Sequence, residues 1–572
     1  MADYDIVIRG GAIVDGSGAE PFEADLAISG DRIAAIGAIT GSGAEEVDAR
    51  GQIVTPGFID LHTHLDGHVT WEERLHPLTG HGITTALIGN CGVGFAPCQK
   101  ADRDLLIHLM EQVEDISFAD LSAGLPWGWE SFPEYLDVLA ARRYNVDIAA
   151  LLPHSSLRAF VMGARGLNEP ANAQDLAALR SVTAEAVRAG AMGLGSTRLQ
   201  DQRTHTGERI PSLFADEDEY AALALGMRDG GGGSLQIAIE FNQMPVACAE
   251  LEMLERIGRQ SQQPIMYSCK QTNGAPDGWR DLLAISDRAN ENGVVIQPQV
   301  LGRPTGAILG LATTMHPFSR CESYAPLAAL PVAEKAAAMR HPDMRERLIA
   351  ELRSGQSRVP GRVRGFTLIF PLADPPNYEP EQEESIEALA AARGIDSTEL
   401  MYDLLVADGG TNLFLMAGGN YAQFTLDPAL EMLKNPYSVP GLGDAGAHAG
   451  IICDASATTT MLSYWTRDRR RGAKVSVAQA VRWLTGDSAR ALGLADRGLI
   501  KVGLKADVNV IDYDRLRLRR PRATSDLPAG GTRLVQDAEG YSATIVSGGI
   551  VHRDDRPTDV LSGRLVRGRT GA

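Results

Sequence analysis

Between residues 56 and 490 the chain repeats one pattern, a short apolar run of strand character followed by a helix-like stretch. This alternation limits the available folds more than any other feature, because it is the mark of βα units and a parallel sheet. The candidate strands are Phe58 to His64, Thr84 to Gly89, Asp147 to Pro153, Ala191 to Ser196, Ser234 to Glu240, Pro264 to Lys270, Val294 to Val300 and a last one ending near Gly441 to Asp444. Eight such strands fit a (β/α)8 TIM barrel, an α/β fold whose functional groups sit where the strand C-termini open onto one face. Helices over Asp175 to Ala189, Asp216 to Arg228 and Ser476 to Leu492 anchor the count. Ser476 reads as a cap, and Gly190 and Gly493 stand where helix ends favour glycine. Residues 303 to 365 are read as an insertion over the barrel mouth.

At 572 residues the chain exceeds a single hydrophobic core. Residues 4 to 54 alternate short β-type runs with glycine turns, and the same texture returns in Gly503 to Asp512 and Tyr541 to Val551. The expected organisation is a small β-sandwich domain built from both termini (1–55 plus 495–560), an inserted barrel over 56–494, and a C-terminal tail at 561–572. A net charge of −19 opposes nucleic-acid or anionic-membrane partners. The short basic run Arg467 to Arg471 reads as a solvated helix face. Six cysteines without regular spacing make no disulfide framework, which fits a reducing compartment. The first residues lack a basic and apolar leader pattern, and no apolar run reaches ~18 residues. A cytoplasmic protein acting on a small molecule is expected, with a homodimer or tetramer compatible with its size.

The chemistry-bearing stretch is Thr55-Pro-Gly-Phe-Ile-Asp-Leu-His-Thr-His-Leu-Asp66. Alternate strand residues share a face, so His62 and His64 point the same way and can chelate a metal. An isolated His-x-His would more often be two surface or capped core histidines, but the surrounding sequence weighs towards the metal. The second strand ends in Gly89-Asn-Cys-Gly92, where Cys91 is either a thiolate ligand or a small buried hydrophobe. Cys98 reads as structural. Asp444 lies in a glycine-rich turn at the last strand tip, where a carboxylate can bind a metal and accept a proton from water, or merely close an Asx-turn. His448 and Asp454 either orient it, bind substrate or close the loop. Trp127, Trp129 and Phe132 offer an aromatic wall or plain loop packing.

These motifs, with Asp5-Ile-Val-Ile-Arg-Gly-Gly11, His154-Ser-Ser-Leu-Arg158, Ala191-Met-Gly-Leu-Gly-Ser-Thr197 and Gly503-Leu-Lys-Ala-Asp507, resemble the amidohydrolase superfamily, specifically its N-acyl-D-amino-acid deacylase branch. The resemblance implies zinc at the mouth of a distorted barrel, with His62, His64, Cys91 and Asp444 as ligands and Asp444 as general base. It also places His154 and Arg158 near the site, with Arg158 either binding a substrate carboxylate or forming a structural ion pair. One departure matters: the branch supplies histidines from the fifth and sixth strands, and neither strand has one here. Glu240 or Cys269 could stand in as ligands, and Lys270 could bind substrate. Ser196-Thr-Arg198 carries no fourth-strand lysine for a carbamate bridge. One zinc ion is therefore expected in preference to two. The expected activity is metal-dependent hydrolysis of an amide C–N bond, of an N-acyl (D-)amino acid or similar carboxylate. A lactone, carbamate or cyclic-amide hydrolase with a remodelled pocket is the alternative, and a non-catalytic relative the second.

Overall fold

The computed structural model describes residues 2–204, 207–354 and 365–568. Its centre is a ring of parallel strands: β1 (Phe58–Asp60), β2 (Ile83–Ile88), β3 (Asp147–Ala150 and Leu152–Pro153), β4 (Gly193–Thr197), β5 (Ser234–Ala238), β6 (Ile265–Ser268), β7 (Ile296–Val300) and β8 (Val439–Pro440). Each pairs with its neighbour in sequence. β3 is broken at Leu151, whose amide bonds Ile88 O, and a parallel bridge between Thr63 and Ala445 closes β1 onto β8. Each of the eight expected runs coincides with one of these strands. Helix Ala173–Ala189 carries a capping box from Asn172 and ends at left-handed Gly190, and Asp216 caps Glu217–Gly230.

Both ends of the chain supply a second sheet. Ile53–Pro56 lies between Tyr4–Ile13 on one side and Val508–Ile511 on the other, and Tyr541–Val546 and Gly549–Arg553 continue it. Hydrogen bonding joins these strands into one nine-stranded ladder. Its core draws on both ends, with Ile6, Leu26, Val54, Val508 and Ile545 packed together. The expected tail also does more than trail: Leu565–Val566 adds to β3 as a parallel strand, while residues 569–572 lie outside the described ones.

The insertion after β7 runs past residue 365. Thr305–Gly310 pairs antiparallel with Leu413–Gly419, which also pairs with Ile369–Pro371, so the excursion closes only at Gly419. Among the described residues, four helices between Val332 and Val406 cover these strands around a core of their own that includes Leu309, Phe318, Met339, Leu400 and Phe414. Residues 355–364 of the expected insertion lie outside the described residues.

The run at Arg467 to Arg471 corrects the expectation of a solvated face. Arg469 is buried, bonding Glu379 through two nitrogens at 3.0 Å and Asp427 at 2.7 Å, and Arg467 donates to the carbonyls of Tyr513 and Leu516. These arginines fasten three separate chain segments together. Among the described residues no two cysteines are joined in a disulfide.

Candidate metal centre

Beyond β1 the chain passes between β2 and β8: Thr63 N bonds Leu87 O, and His64 N bonds Ala445 O at 2.8 Å. Two anchors on either side of the His-x-His leave both imidazoles facing the barrel axis. Their Nε2 atoms converge on Asp444 Oδ1, at 3.2 Å from His62 and 3.8 Å from His64. Cys91 Sγ lies 3.5 Å from His62 Nε2, and the ligand atoms of His62, His64 and Cys91 all fall within 4.8 Å of one another. Four sequence-predicted residues from three strand ends thus come to one point.

The tips that carry them are sterically defined. Gly195 of β4 sits against the Cys91 turn so closely that a Cβ would stand 1.9 Å from Gly89 O. At the β8 turn, Gly446 has φ +98 and a Cβ there would lie 2.5 Å from His64 O. Cys91, Leu442, Asp444 and His448 all have positive φ, so four non-glycine residues around the site hold a costly backbone conformation.

A polar side chain stands behind each ring nitrogen that faces outward. His62 Nδ1 is 2.8 Å from Gln299 Oε1, and the Gln299 amide nitrogen donates to Gln236 Oε1 at 2.9 Å. That donation fixes the Gln299 oxygen towards the ring, so Nδ1 is the proton donor and Nε2 keeps its lone pair for a ligand. His64 Nδ1 lies 3.4 Å from Glu114 Oε1. Glu114 and Gln299 are functional candidates that motif reading misses. A signal for Glu114 exists: it follows Ile107 and Met110 at helical spacing on a buried face.

The electrostatics suit a cation. Burial pushes Asp60 and Asp66 up to about 6 and Glu114 to about 8, in the last case against the pull of His64. Burial also raises the Cys91 thiol, but His62 and His64 outweigh it and hold it at about 7. Burial lowers His62, yet Asp444 and Cys91 raise it overall. Among the described residues, His64 Nδ1, both Glu114 oxygens and Asp444 Oδ1 are buried without a hydrogen-bond partner. A soft thiolate, two imidazoles and a carboxylate, with unsatisfied buried oxygens behind them, are a donor set that fits zinc.

A cavity of about 340 Å³ opens over this cluster, lined by Phe241, Lys270 and His448 as well as the four converging residues. Burial lowers the Lys270 amine to about 8, opposed by Asp444, and its Nζ lies 3.8 Å over the Phe241 ring. At the ends of β5 and β6 the cavity is lined by Ala238 and Ser268, neither of them a histidine. Neither suggested stand-in takes their place. Both Glu240 oxygens accept backbone amides, from Gln200 and Asn242, and Cys269 is fully buried against Met432 with its thiol pushed up to about 12.

His154 and Arg158 are not at the site, which corrects the expectation that they lie near it, and Arg158 takes the structural ion pair of its two alternatives. His154 bonds Ser196 and Glu219, each at 2.8 Å. Arg158 spends its donors on Glu219, Gly166 and Glu169, and both side chains have no solvent exposure. An Arg and a His on one buried Glu stabilise the packing of the helix around 154–162 and leave nothing to offer a ligand. Asp454 pairs with Arg303 at 2.8 Å. Trp129 and Phe132 are buried, and Trp129 Nε1 bonds Phe95 O, so these aromatics pack the loop and do not wall the cavity.

The model of the amidohydrolase family matches residues 45–552. The chain belongs to the amidohydrolase family. It is 32% identical over 277 residues to a D-aminoacylase of Alcaligenes xylosoxydans xylosoxydans, covering 48% of this chain and 52% of that one. It thus spans about half the length of that curated relative. Among solved folds, a D-aminoacylase crystal structure superposes with a TM-score of 0.66 at 22% identity, over 99% of this chain and 100% of that one. An N-acyl-D-glutamate deacylase from Bordetella bronchiseptica, complexed with zinc and a phosphonate inhibitor, superposes with a TM-score of 0.64 at 24% identity over the same shares. This member of the amidohydrolase family therefore has a TIM-barrel-type fold with mixed α/β content.

Proposed function

We propose that the protein is a zinc-dependent amidohydrolase that cleaves the amide C–N bond of an N-acyl (D-)amino acid or a similar carboxylate-bearing substrate. One observation carries this reading: His62, His64 and Cys91 meet within 4.8 Å, with Asp444 Oδ1 3.2 Å from His62 Nε2, at the mouth of a barrel. His62, His64, Cys91 and Asp444 would hold a single ion, since Ala238 and Ser268 offer no further ligand on β5 and β6. When bound there, zinc supplies Lewis-acid polarisation of the acyl oxygen and acidifies a water. Asp444 takes the proton of the attacking water and returns it to the leaving amine. Lys270, cationic at neutral pH and seated on Phe241, pairs with the substrate carboxylate, while His448 lines the same wall. The zinc in the Bordetella deacylase and the D-aminoacylase likeness support both metal and substrate class.

Ala238 and Ser268 favour a second reading, in which the pocket is remodelled for a lactone, carbamate or cyclic amide. A panel of N-acyl-D- and N-acyl-L-amino acids, run beside those three classes, separates the two. Stoichiometric zinc that is lost in the His62→Ala/His64→Ala double variant is the expected metal result. A preparation with no zinc, and no turnover of any class after zinc addition, removes the hydrolase reading.

A further inference from the structure

The two metal-facing histidines are backed by different chemistry. Gln299 Oε1 holds His62 Nδ1 at 2.8 Å through a neutral amide. Behind His64 stands a carboxylate, Glu114 Oε1, 3.4 Å from Nδ1. Glu114 is the last residue of helix Arg103–Glu114, and its carbonyl accepts Ala449 N at 2.7 Å, which ties the helix end to the turn that carries Asp444. Its side chain points inward on the face of Ile107 and Met110 and is 2% exposed. Among the described residues neither of its oxygens has a hydrogen-bond partner, and neither has His64 Nδ1. A buried carboxylate without partners is expensive, and core packing alone would favour an apolar residue at this place.

We propose that Glu114 is a positioning residue for the metal centre: it accepts the Nδ1 proton of His64 and fixes the tautomer and ring angle that present Nε2 to the ion. The proposal rests on the metal reading above. The outer partner of a histidine ligand sets its tautomer and ring orientation, and its loss weakens metal binding.

The test measures zinc affinity by competition with a chromophoric chelator, and the absorption spectrum of the cobalt(II)-substituted protein, for wild type, Glu114→Gln and Glu114→Ala. Glu114→Ala should bind zinc about 10- to 100-fold more weakly, with Glu114→Gln in between because its amide oxygen still accepts the proton. The cobalt bands should shift in both variants, while the metal-free proteins melt no lower than wild type, a combination that a purely structural role would not produce. Affinity within twofold of wild type and unchanged cobalt bands in Glu114→Gln overturn the proposal, and that isosteric variant carries the test if Glu114→Ala fails to fold. Wild-type protein that takes up neither metal refutes the metal reading itself, and this inference with it.

Discussion

Replacing Gly195 by alanine tests whether the Cys91 turn is held in place by its neighbour. An added Cβ would lie 1.9 Å from Gly89 O, 3.0 Å from Gly89 C and 3.4 Å from Asn90 Cα, where ordinary contact begins at 3.4 Å. The first separation must therefore open by about 1.5 Å. Both sides are backbone, so no side chain can rotate away. The β4 side is fixed by its pairing with β5 over five residues, and Ser196 is further held by His154. The Gly89 turn has to yield, and it carries Cys91 with it. Metal–ligand distances tolerate about 0.2 Å, so a displacement near 1 Å should reduce zinc affinity at least about tenfold. Overpacking of this kind also costs about 1–3 kcal/mol of stability. Chelator competition and thermal melting read the two effects separately. Gly274→Ala is the control, because a Cβ there meets nothing within 4 Å. Wild-type zinc affinity and melting temperature in Gly195→Ala would refute the reasoning.

Three further outcomes are expected. Asp444→Asn should retain zinc through the remaining ligands and lose hydrolysis by about 100-fold or more, as measured by steady-state kinetics; turnover close to wild type would remove Asp444 as the base. Asp147→Ala leaves Arg497 and Lys505, which bond Asp147 Oδ2 at 2.6 and 2.8 Å, buried with fewer acids, and should cost about 3–5 kcal/mol in denaturant titrations; an unchanged midpoint contradicts this. His81 is buried between Thr459 and Gln536, and burial lowers it to about 4 against the opposing Gln536 carbonyl. Between about pH 6.5 and 4 the unfolded chain binds a proton that the folded one refuses, so its contribution is complete above pH 6.5 and falls as the solution is acidified, by about 3 kcal/mol at pH 4. Denaturant midpoints at several pH values should show this slope weakened in His81→Gln; an identical slope counts against it.

The barrel is legible in the sequence because each strand is a continuous apolar run bounded by turn residues, and that pattern survives whatever loops intervene. The end of the insertion is not legible, since it depends on Leu413–Gly419 returning to Thr305–Gly310, a pairing across about a hundred residues that no local pattern announces. His62, His64, Cys91 and Asp444 are legible because the chemistry lies at strand tips in distinctive turns. Gln299 and Glu114 act through a ring's far nitrogen, and such support comes from whichever element passes behind. His154 and Arg158 show the converse: residue types suited to substrate recognition are consumed by Glu219, whose position follows only from the packing of two helices.

The pairing of Val54 with Val510 has a temporal consequence. During synthesis the Ile53–Pro56 strand emerges about 450 residues before its partner, which at ~5–20 residues per second means about 20–90 seconds with one edge unpaired. Its other edge is covered early, by Tyr4–Ile13. For that interval the nascent chain carries an open β-edge beside a half-built barrel, the kind of surface that recruits a second nascent chain or a chaperone. Only when Val508–Ile511 arrives does the entire inserted barrel become enclosed between two adjacent strands of a single sheet.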